Sequence, residues 1–497
     1  MLTTLIRREL LDNLMTFRFA AVLIITLLMI VANTAVLIQD YEQRLESYNA
    51  AVKTHYQELQ KAKTYSAMFL YVDRPPNPLS IFNVGLDKRV GNTVGIWHGN
   101  VPTLWDAFMH GTDNPFIAFF ASIDIVFIFK VVLSLMGLIF AYDAIAGVRE
   151  RGTLRLVLAQ PVGRGQVLLA KYISAMTCLL VPLILSLLFV LLLLTYSIPL
   201  SVADFLRIAG IVITSFAYLS LFYLIGLLIS IAARRTGTAL MLAMFIWGFL
   251  ILVYPNLIRA TVNPGGDIQG RVKTAHNQIQ QILDAYERER QKFLDKEGIG
   301  GETSEFSTAL ELYTDVHVDP ETLSTYIENM SLISEIRPES AHYVPIAKRY
   351  FDFIEPLTIR TTAKTWGIQK QALDDIFVRQ ATMDRVLLKF SPVGIYDAAT
   401  QAWAGTDLSG LRDFFAAAQR YRKVIIDYLY TKDAFSSREW FVADKDTVDW
   451  RTFPKFTFER GEVWTNAERA LPDMFLLLIA NLALFMGTVL IFTKSEV

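Results

Sequence analysis

The chain has 497 residues, of which 53% are hydrophobic and 19% are charged, and its mean hydropathy is +0.36. This composition is typical of a membrane protein and excludes an ordinary soluble globular domain. The net charge of -1 gives no reason to expect a nucleic-acid partner, and the single cysteine, Cys178, excludes an intrachain disulfide or a CxxC metal site.

The N-terminal segment 1–18 has apolar residues on one face of a helix and polar residues on the other. Such a helix lies in the plane of the membrane interface, so we expect an amphipathic interfacial helix here. The apolar run that follows is too long for the core of a signal peptide and has no small-residue cleavage site after it. The sequence therefore predicts no cleavable signal.

Six apolar runs are long enough to cross a bilayer as helices. They cover 19–38, 123–142, 172–196, 208–231, 238–258 and 474–493.

Basic residues decide the orientation of these spans. Arg7 and Arg8 precede the first span, Arg234 and Arg235 separate the fourth from the fifth, and Lys494 follows the sixth. A further basic loop, 143–171, joins the second span to the third, whereas the turn after the third has no Lys or Arg. Positive residues accumulate on the cytoplasmic side, so both termini and these loops are expected there.

Two long segments, 39–115 and 259–472, then lie outside the cytoplasm. Each begins with an apolar stripe at helical spacing that continues directly from a span, which predicts two stalk helices packed on each other. Similar stripes predict a return helix over 368–390 and another helix over 408–428, and a short strand is predicted at 455–458. The fold class is therefore an all-α membrane protein with a large, mostly helical extracytoplasmic domain.

The 143–171 loop differs from the other loops because it is basic and also contains a mostly apolar stretch at 154–158. Residues 153–160 are predicted to form a short helix, with Thr153 as its N-cap and with Pro161 and Gly163 ending it. A cytoplasmic loop needs an apolar helix only where that helix packs against something. The helix either lies on the lipid headgroups or docks on a cytosolic partner.

Lys130 is a charged residue within the second span. A Lys near the bilayer centre costs roughly 2.5–3.5 kcal/mol on insertion scales, so its side chain should face protein or water. It either snorkels or is neutralised within the protein, or it lines a substrate path.

Candidate catalytic and metal-binding residues are few. All six histidines fall in the two outer segments without metal-ligand spacing, so no metal site is expected. The spans contain no paired carboxylates, His-Glu motif or Ser/His arrangement, which argues against an intramembrane enzyme. No Gly-x4-Gly-Lys-[Ser/Thr] loop is present to cradle phosphates.

Six spans, an interfacial first helix and a loop of the form Glu-x-Gly-Thr-Leu followed by Pro-x-x-Arg resemble the permease subunits of ABC-2-type transporters. The matching residues are Glu150, Gly152, Thr153, Leu154, Pro161 and Arg164. The long outer segments, with the motifs at 391–396 and 404–407, are similar to a subgroup related to permeases of copper-enzyme maturation and gliding motility. Val148 departs from the family pattern, which often has an acidic residue there.

The resemblance implies a membrane dimer, formed with a second copy or a related permease, under which two ABC ATP-binding subunits dock. ATP and Mg would be bound by those subunits, and this chain would bind no cofactor and catalyse no reaction. The expected location is the bacterial cytoplasmic membrane, in contact with lipid. The residues expected to couple to the ATPase are Glu150, Gly152, Thr153, Leu154, Arg155, Leu158, Pro161 and Arg164.

Two classes of function remain at this stage. One is an exporter or extruder that moves an unidentified substrate outward, for which Lys130 is the candidate residue on the path. The other is a mechanotransmitter, in which ATP hydrolysis inside moves the outer helices to act on an extracytoplasmic machine without passing a substrate.

Overall fold

The protein is described here from a computed structural model. It describes residues 2–62, 65, 70–88, 91–96, 101, 123–153, 163–261, 268–297, 344–373, 386–434 and 449–494.

Helices dominate the described residues, and we number them α1 to α12 in chain order. They are α1 (Leu2–Leu14), α2 (Phe17–Lys61), α3 (Ile125–Ile128, a π-helical turn Phe129–Leu133, and Ser134–Ala141), α4 (Ala146–Glu150), α5 (Arg164–Ser197), α6 (Val202–Ala232), α7 (Thr236–Gly248, a π-helical turn Phe249–Val253, and Tyr254–Thr261), α8 (Ile268–Lys296), α9 (Val344–Leu373), α10 (Pro392–Ala404), α11 (Leu408–Thr431) and α12 (Val463–Lys494).

Six stretches among the described helices are long and apolar enough to cross a membrane, which confirms the predicted number of six spans. They are Phe19–Lys61, Ile125–Glu150, Arg164–Ser197, Val202–Ala232, Thr236–Ile258 and Val463–Lys494.

Several of these helices begin well before the predicted apolar run, because polar residues support their first turns. In α6, for example, the Ser201 hydroxyl accepts a hydrogen bond from the Asp204 amide, and the Asp204 carboxylate accepts one from the Ser201 amide. This reciprocal pair is a capping box, and it starts the helix six residues before position 208. A hydropathy window cannot detect such a polar first turn.

The bundle has two distinct ends. We call the end that carries the 143–171 loop the loop end, and the opposite end, beyond which α2 continues to Lys61, the domain end. α1 lies at the loop end as a separate helix, as predicted, where Lys171 of α5 contacts Glu9 at 2.8 Å and Asn13 donates to Ser174.

A small domain with its own apolar cluster lies at the domain end. The strands β1 (Leu70–Asp73) and β2 (Thr93–Ile96) form an antiparallel hairpin in which Leu70 pairs with Ile96 and Asp73 with Thr93. Val72 and Val94 of this hairpin share a buried cluster with Leu59 at the end of α2 and with Phe414 of α11. The prediction of α11 is confirmed, whereas the predicted strand at 455–458 is wrong because these residues form no strand pairing.

The predicted packing of the two stalk helices on each other is also wrong. α8 packs along α9 instead, with the Phe293 and Phe353 rings stacked at a centroid distance of 4.5 Å and with Glu297 paired to Arg349. α9 begins at Val344, earlier than the predicted return helix over 368–390, and residues 374–385 of that prediction lie outside the described ranges. A narrow apolar stripe predicts a helix but does not identify its partner.

The helix α10 was not predicted, and it places part of the 259–472 segment inside the bundle. Ile395 packs with Ala217 of α6 and Leu477 of α12. The Trp403 ring lies so close to Gly210 of α6 that a Cβ at this glycine would be 2.4 Å from it. Both contacts on α6 lie in the half of this helix that is nearest the domain end. α10 therefore runs beside two membrane spans, α6 and α12.

Candidate functional site

The start of the 143–171 loop is a tight turn at the end of α4. Gly152 has φ of +72°, a left-handed conformation that glycine adopts without a Cβ penalty. The amide and the hydroxyl of Thr153 both donate to the Val148 carbonyl and close the last turn of α4. Gly152 therefore allows a tight turn, in which the Thr153 hydroxyl bonds backwards to α4. The predicted role of Thr153 as the N-cap of a helix over 153–160 involves residues outside the described ranges.

Arg149 and Glu150 join this turn to the neighbouring loop between α6 and α7. The Arg149 guanidinium donates to the carbonyls of Ile231 and Ala233 at 2.9 and 3.0 Å, where α6 ends. The Glu150 carboxylate accepts from the amide and the hydroxyl of Thr236 at 3.0 and 2.6 Å, where α7 begins. A cation at a helix C-terminus and an anion at a helix N-terminus complement both the unpaired backbone groups and the helix dipoles.

The far end of the loop is joined to the last helix in the same manner. The Arg164 guanidinium donates to the carbonyls of Phe492 and Thr493 at 3.2 and 3.0 Å, near the end of α12. About two helical turns after Arg164, Lys171 pairs with Glu9 of α1. The loop is thus bonded at both ends to the loop-end termini of other helices.

We call this arrangement the loop junction: the two ends of the loop are bonded to α6 and α7 through Arg149 and Glu150, and to α12 through Arg164. The sequence identified Glu150 and Arg164 as candidate coupling residues but not these intramolecular partners. Four further candidates, Leu154, Arg155, Leu158 and Pro161, lie outside the described residues.

Lys130 is paired within the protein. Its ammonium group lies 3.0 Å from Asp397 Oδ1 and 3.1 Å from Oδ2, and the two side chains are 18% and 27% exposed. Asp397 belongs to α10, so the pair joins α3 to the helix that lies inside the bundle. The Lys130 ammonium also lies 5.3 Å from the centre of the Phe127 ring, within the range of a cation–π contact.

The backbone around Lys130 is irregular and is held by polar side chains. Lys130 lies in the π-helical turn of α3, and its carbonyl accepts from the Ser134 and Tyr218 hydroxyls. The Tyr218 ring stacks on Tyr396 at a centroid distance of 4.2 Å, and the Tyr396 hydroxyl lies 2.7 Å from Ser215. Single π-helical turns inside α-helices frequently mark functional sites.

A second ion pair lies beside the first turn of α10. Lys389 pairs with Asp473 of α12, and the Ser391 hydroxyl donates to the Leu250 carbonyl in the π-helical turn of α7. Sequence reasoning missed both aspartates. The available signal for Asp397 was a single acid in the otherwise uncharged stretch 393–404, directly after the motif at 391–396.

The two candidate regions are separate. The coupling residues lie at the loop end of the bundle, and the Lys130–Asp397 pair lies near its domain end. Within the described ranges, no group of three or more His, Cys, Asp or Glu side chains is arranged to hold a metal ion.

Comparison with known proteins matches two families. The family described as "ABC-2 family transporter protein" matches residues 3–313. A "Domain of unknown function (DUF3526)" matches residues 361–459, the part that contains α10 and α11.

Two curated proteins share a short similar segment with the chain. Each is described as "Probable ABC transporter permease protein NosY", one from Stutzerimonas stutzeri and one from Pseudomonas aeruginosa, and each is 52% identical over 42 residues. The segment is 8% of this chain and 15% of each relative, so the chain matches less than a sixth of those proteins.

Proposed function

This chain belongs to the ABC-2 family of transporter proteins, and from that premise we propose that it couples ATP hydrolysis by a separate cytosolic ATPase to the export or extrusion of a substrate. It is a multi-pass membrane subunit rather than an enzyme. The observation that carries the proposal is the bonding of the 143–171 loop to the ends of α6, α7 and α12 through Arg149, Glu150 and Arg164.

The mechanism follows from that bonding. The ATPase closes on ATP, displaces the docked loop, and the loop transmits this displacement to the helices bonded to it. The family implies an ATP-binding partner, and we propose two copies of it under a dimer of this chain with itself or with a related permease. ATP and Mg are bound by that partner, and lipid surrounds the spans.

The proposed coupling predicts a defect that is separate from docking. Replacing Arg164 with Gln removes two bonds from a charged donor, each worth roughly 1.5–3 kcal/mol. We expect the ATPase to remain bound while its stimulation by the permease falls about tenfold, measured as ATP hydrolysis by the reconstituted complex. The control is Arg151→Gln, which removes an exposed arginine of the same loop. Equal stimulation in the two variants would contradict the junction.

The proposed location is the bacterial cytoplasmic membrane with both termini and the loop end inside, which the distribution of Lys and Arg supports. We expect Arg151→Cys to react with an impermeant maleimide only after the membrane is opened, and Glu289→Cys, on α8, to react in intact spheroplasts. The native Cys178 is buried and gives little background. Labelling of Arg151→Cys in intact cells would overturn the orientation.

A second candidate function is mechanotransmission without substrate passage. It is favoured by the continuity of α2 from the bundle into the small domain and by α10, which joins two spans to that domain. The two candidates differ in what the Lys130–Asp397 pair does. In an exporter it lines the substrate path, whereas in a mechanotransmitter it is a latch between α3 and α10.

A further inference from the structure

A small cavity lined by four arginines lies where the domain end of the bundle meets the small domain. The cavity measures about 30 Å³, and its lining includes Arg74, Arg207, Arg460, Arg469 and Asn77. A cavity needs about 10–15 Å³ of such volume to hold one water molecule, so this cavity admits about two. A space of this size suits a small anion such as one phosphate group and is too small for a nucleotide.

The arginines come from separate parts of the chain and differ in exposure. Arg207 lies in the second turn of α6 and Arg74 directly follows β1, and their side chains are 6% and 10% exposed. Arg460 and Arg469, at 32% and 26%, are more accessible. Two of the four guanidinium groups are thus buried and two are partly exposed.

These four guanidinium groups share three carboxylates. Asp204 pairs with both Arg207 and Arg460, Asp87 with Arg74, and Asp413 with Arg469. Of the three carboxylates, only Asp413 lines the cavity itself. The nearby Asp407 caps α11 and does not line it. The lining therefore favours an anion.

One donor of the cluster has no acceptor. The Arg74 residue is 8% exposed, its Nη1 and Nη2 bond to Asp87, and its buried Nε–H has no hydrogen-bond partner in the described part of the chain. An unpaired buried donor on a charged group is costly, by more than the roughly 1–3 kcal/mol of a neutral group. Because Arg74 lines the cavity, a small movement of its side chain would bring this donor to an acceptor bound there.

The cavity lies at a level of the bundle where lipid phosphates are available as acceptors. Arg207 and Arg469 lie in the second turns of two membrane spans, α6 and α12. At the same level Phe205, Leu206 and Trp464 are exposed, Trp464 by 77%. Exposed Trp beside apolar residues is typical of the membrane interface, where lipid phosphates lie.

We propose that this arginine cavity binds a phosphate group, the headgroup phosphate of a phospholipid or the phosphate of a soluble molecule, between α6, α12 and the small domain. Guanidinium groups bind phosphate oxygens in pairs, which an ammonium cannot do. The bound phosphate would add the negative charge that three carboxylates do not supply to four guanidinium groups, and it would accept hydrogen bonds from them. This site does not depend on coupling to an ATPase.

The test compares phosphate-bearing and phosphate-free ligands on the full-length protein in detergent. In native mass spectrometry, we expect wild type to retain dioleoyl phosphatidic acid at least about tenfold over dioleoylglycerol. We expect the Arg460→Gln/Arg469→Gln variant to lose this preference and Arg412→Gln, an exposed arginine of α11, to keep it. In parallel, inorganic phosphate is compared with chloride at equal ionic strength for its effect on the melting temperature.

The outcomes separate the two sources. Preference for phosphatidic acid that the double variant loses supports a lipid phosphate. Stabilisation by inorganic phosphate alone, again lost in the variant, supports a soluble phosphate-bearing molecule. If neither ligand distinguishes wild type from the double variant, the cavity holds only water and the proposal is overturned.

A second variant covers the case in which the double variant does not fold. Arg74→Lys keeps the positive charge beside Asp87 but lacks the Nε–H and the planar fork. We expect it to fold and to lower the preference for the phosphate-bearing ligand several-fold. Unchanged preference in Arg74→Lys, with the double variant unfolded, would also overturn the proposal.

Discussion

Replacing Lys130 with Met is expected to destabilise the protein, by about 2–3 kcal/mol, because it leaves the Asp397 carboxylate unpaired at the level of the membrane spans. Replacing both residues, as Lys130→Met/Asp397→Leu, removes both charges and should recover most of that loss, since an ion pair in a low-dielectric site contributes little net stability. The measurement is the melting temperature of the single and double variants in one detergent.

The same variants separate the two candidate functions. If Lys130 lines a substrate path, the double variant recovers its stability while the ATPase activity of the reconstituted complex stays low. If the pair only holds α3 against α10, the apolar Met–Leu contact that replaces it still joins these helices, and the double variant recovers activity together with stability. A control is Lys432→Met, which removes an exposed lysine from the end of α11. Wild-type stability in the single Lys130→Met variant would contradict the ion pair itself.

Replacing Leu154 with Asp is expected to abolish copurification of the ATPase. If Leu154 inserts into a groove of the partner, the new carboxylate is desolvated without a cation, which costs several kcal/mol at a buried contact. A loss of about 4 kcal/mol lowers affinity about a thousandfold. The measurement is the amount of ATPase recovered with the tagged permease from membranes.

The matched control for this prediction is Leu154→Met, which keeps the apolar character and nearly the volume of the side chain. It should retain the ATPase. Membrane insertion of both variants is checked by their yield in the membrane fraction. Equal recovery of the ATPase with Asp and with Met would show that the loop rests on lipid headgroups, the alternative left open by its sequence.

The spans were predictable because each contains about 20 consecutive, predominantly apolar residues, a length that a membrane requires. α10 was not, because it has only 13 residues, which is too short to cross a bilayer, and Asp397, Thr400 and Gln401 interrupt its apolar pattern. The hairpin β1–β2 escaped detection because each strand has only four residues, and pairing between separated segments leaves no local pattern.

Only part of the candidate site was predictable, because its residues are brought together from distant positions in the chain. A lysine inside a span predicts that a partner exists, but Asp397 lies 267 positions further along the chain. The basic residues of the 143–171 loop predicted its side of the membrane. Their bonds to the carbonyls of Ile231, Ala233, Phe492 and Thr493 depend on how four helices end together, which no single segment encodes.

α2 is a single unbroken helix that is longer than a bilayer is thick. Its 45 residues make a rod about 68 Å long at 1.5 Å per residue, roughly twice the thickness of the apolar part of a bilayer. A tilt of about 5° about its N-terminal end moves the far end by about 6 Å, which is on the order of one helical turn. α2 is therefore long enough to act as a lever arm, since a small angular change near α1 would displace Lys61 by a distance comparable with the spacing of side chains along a helix.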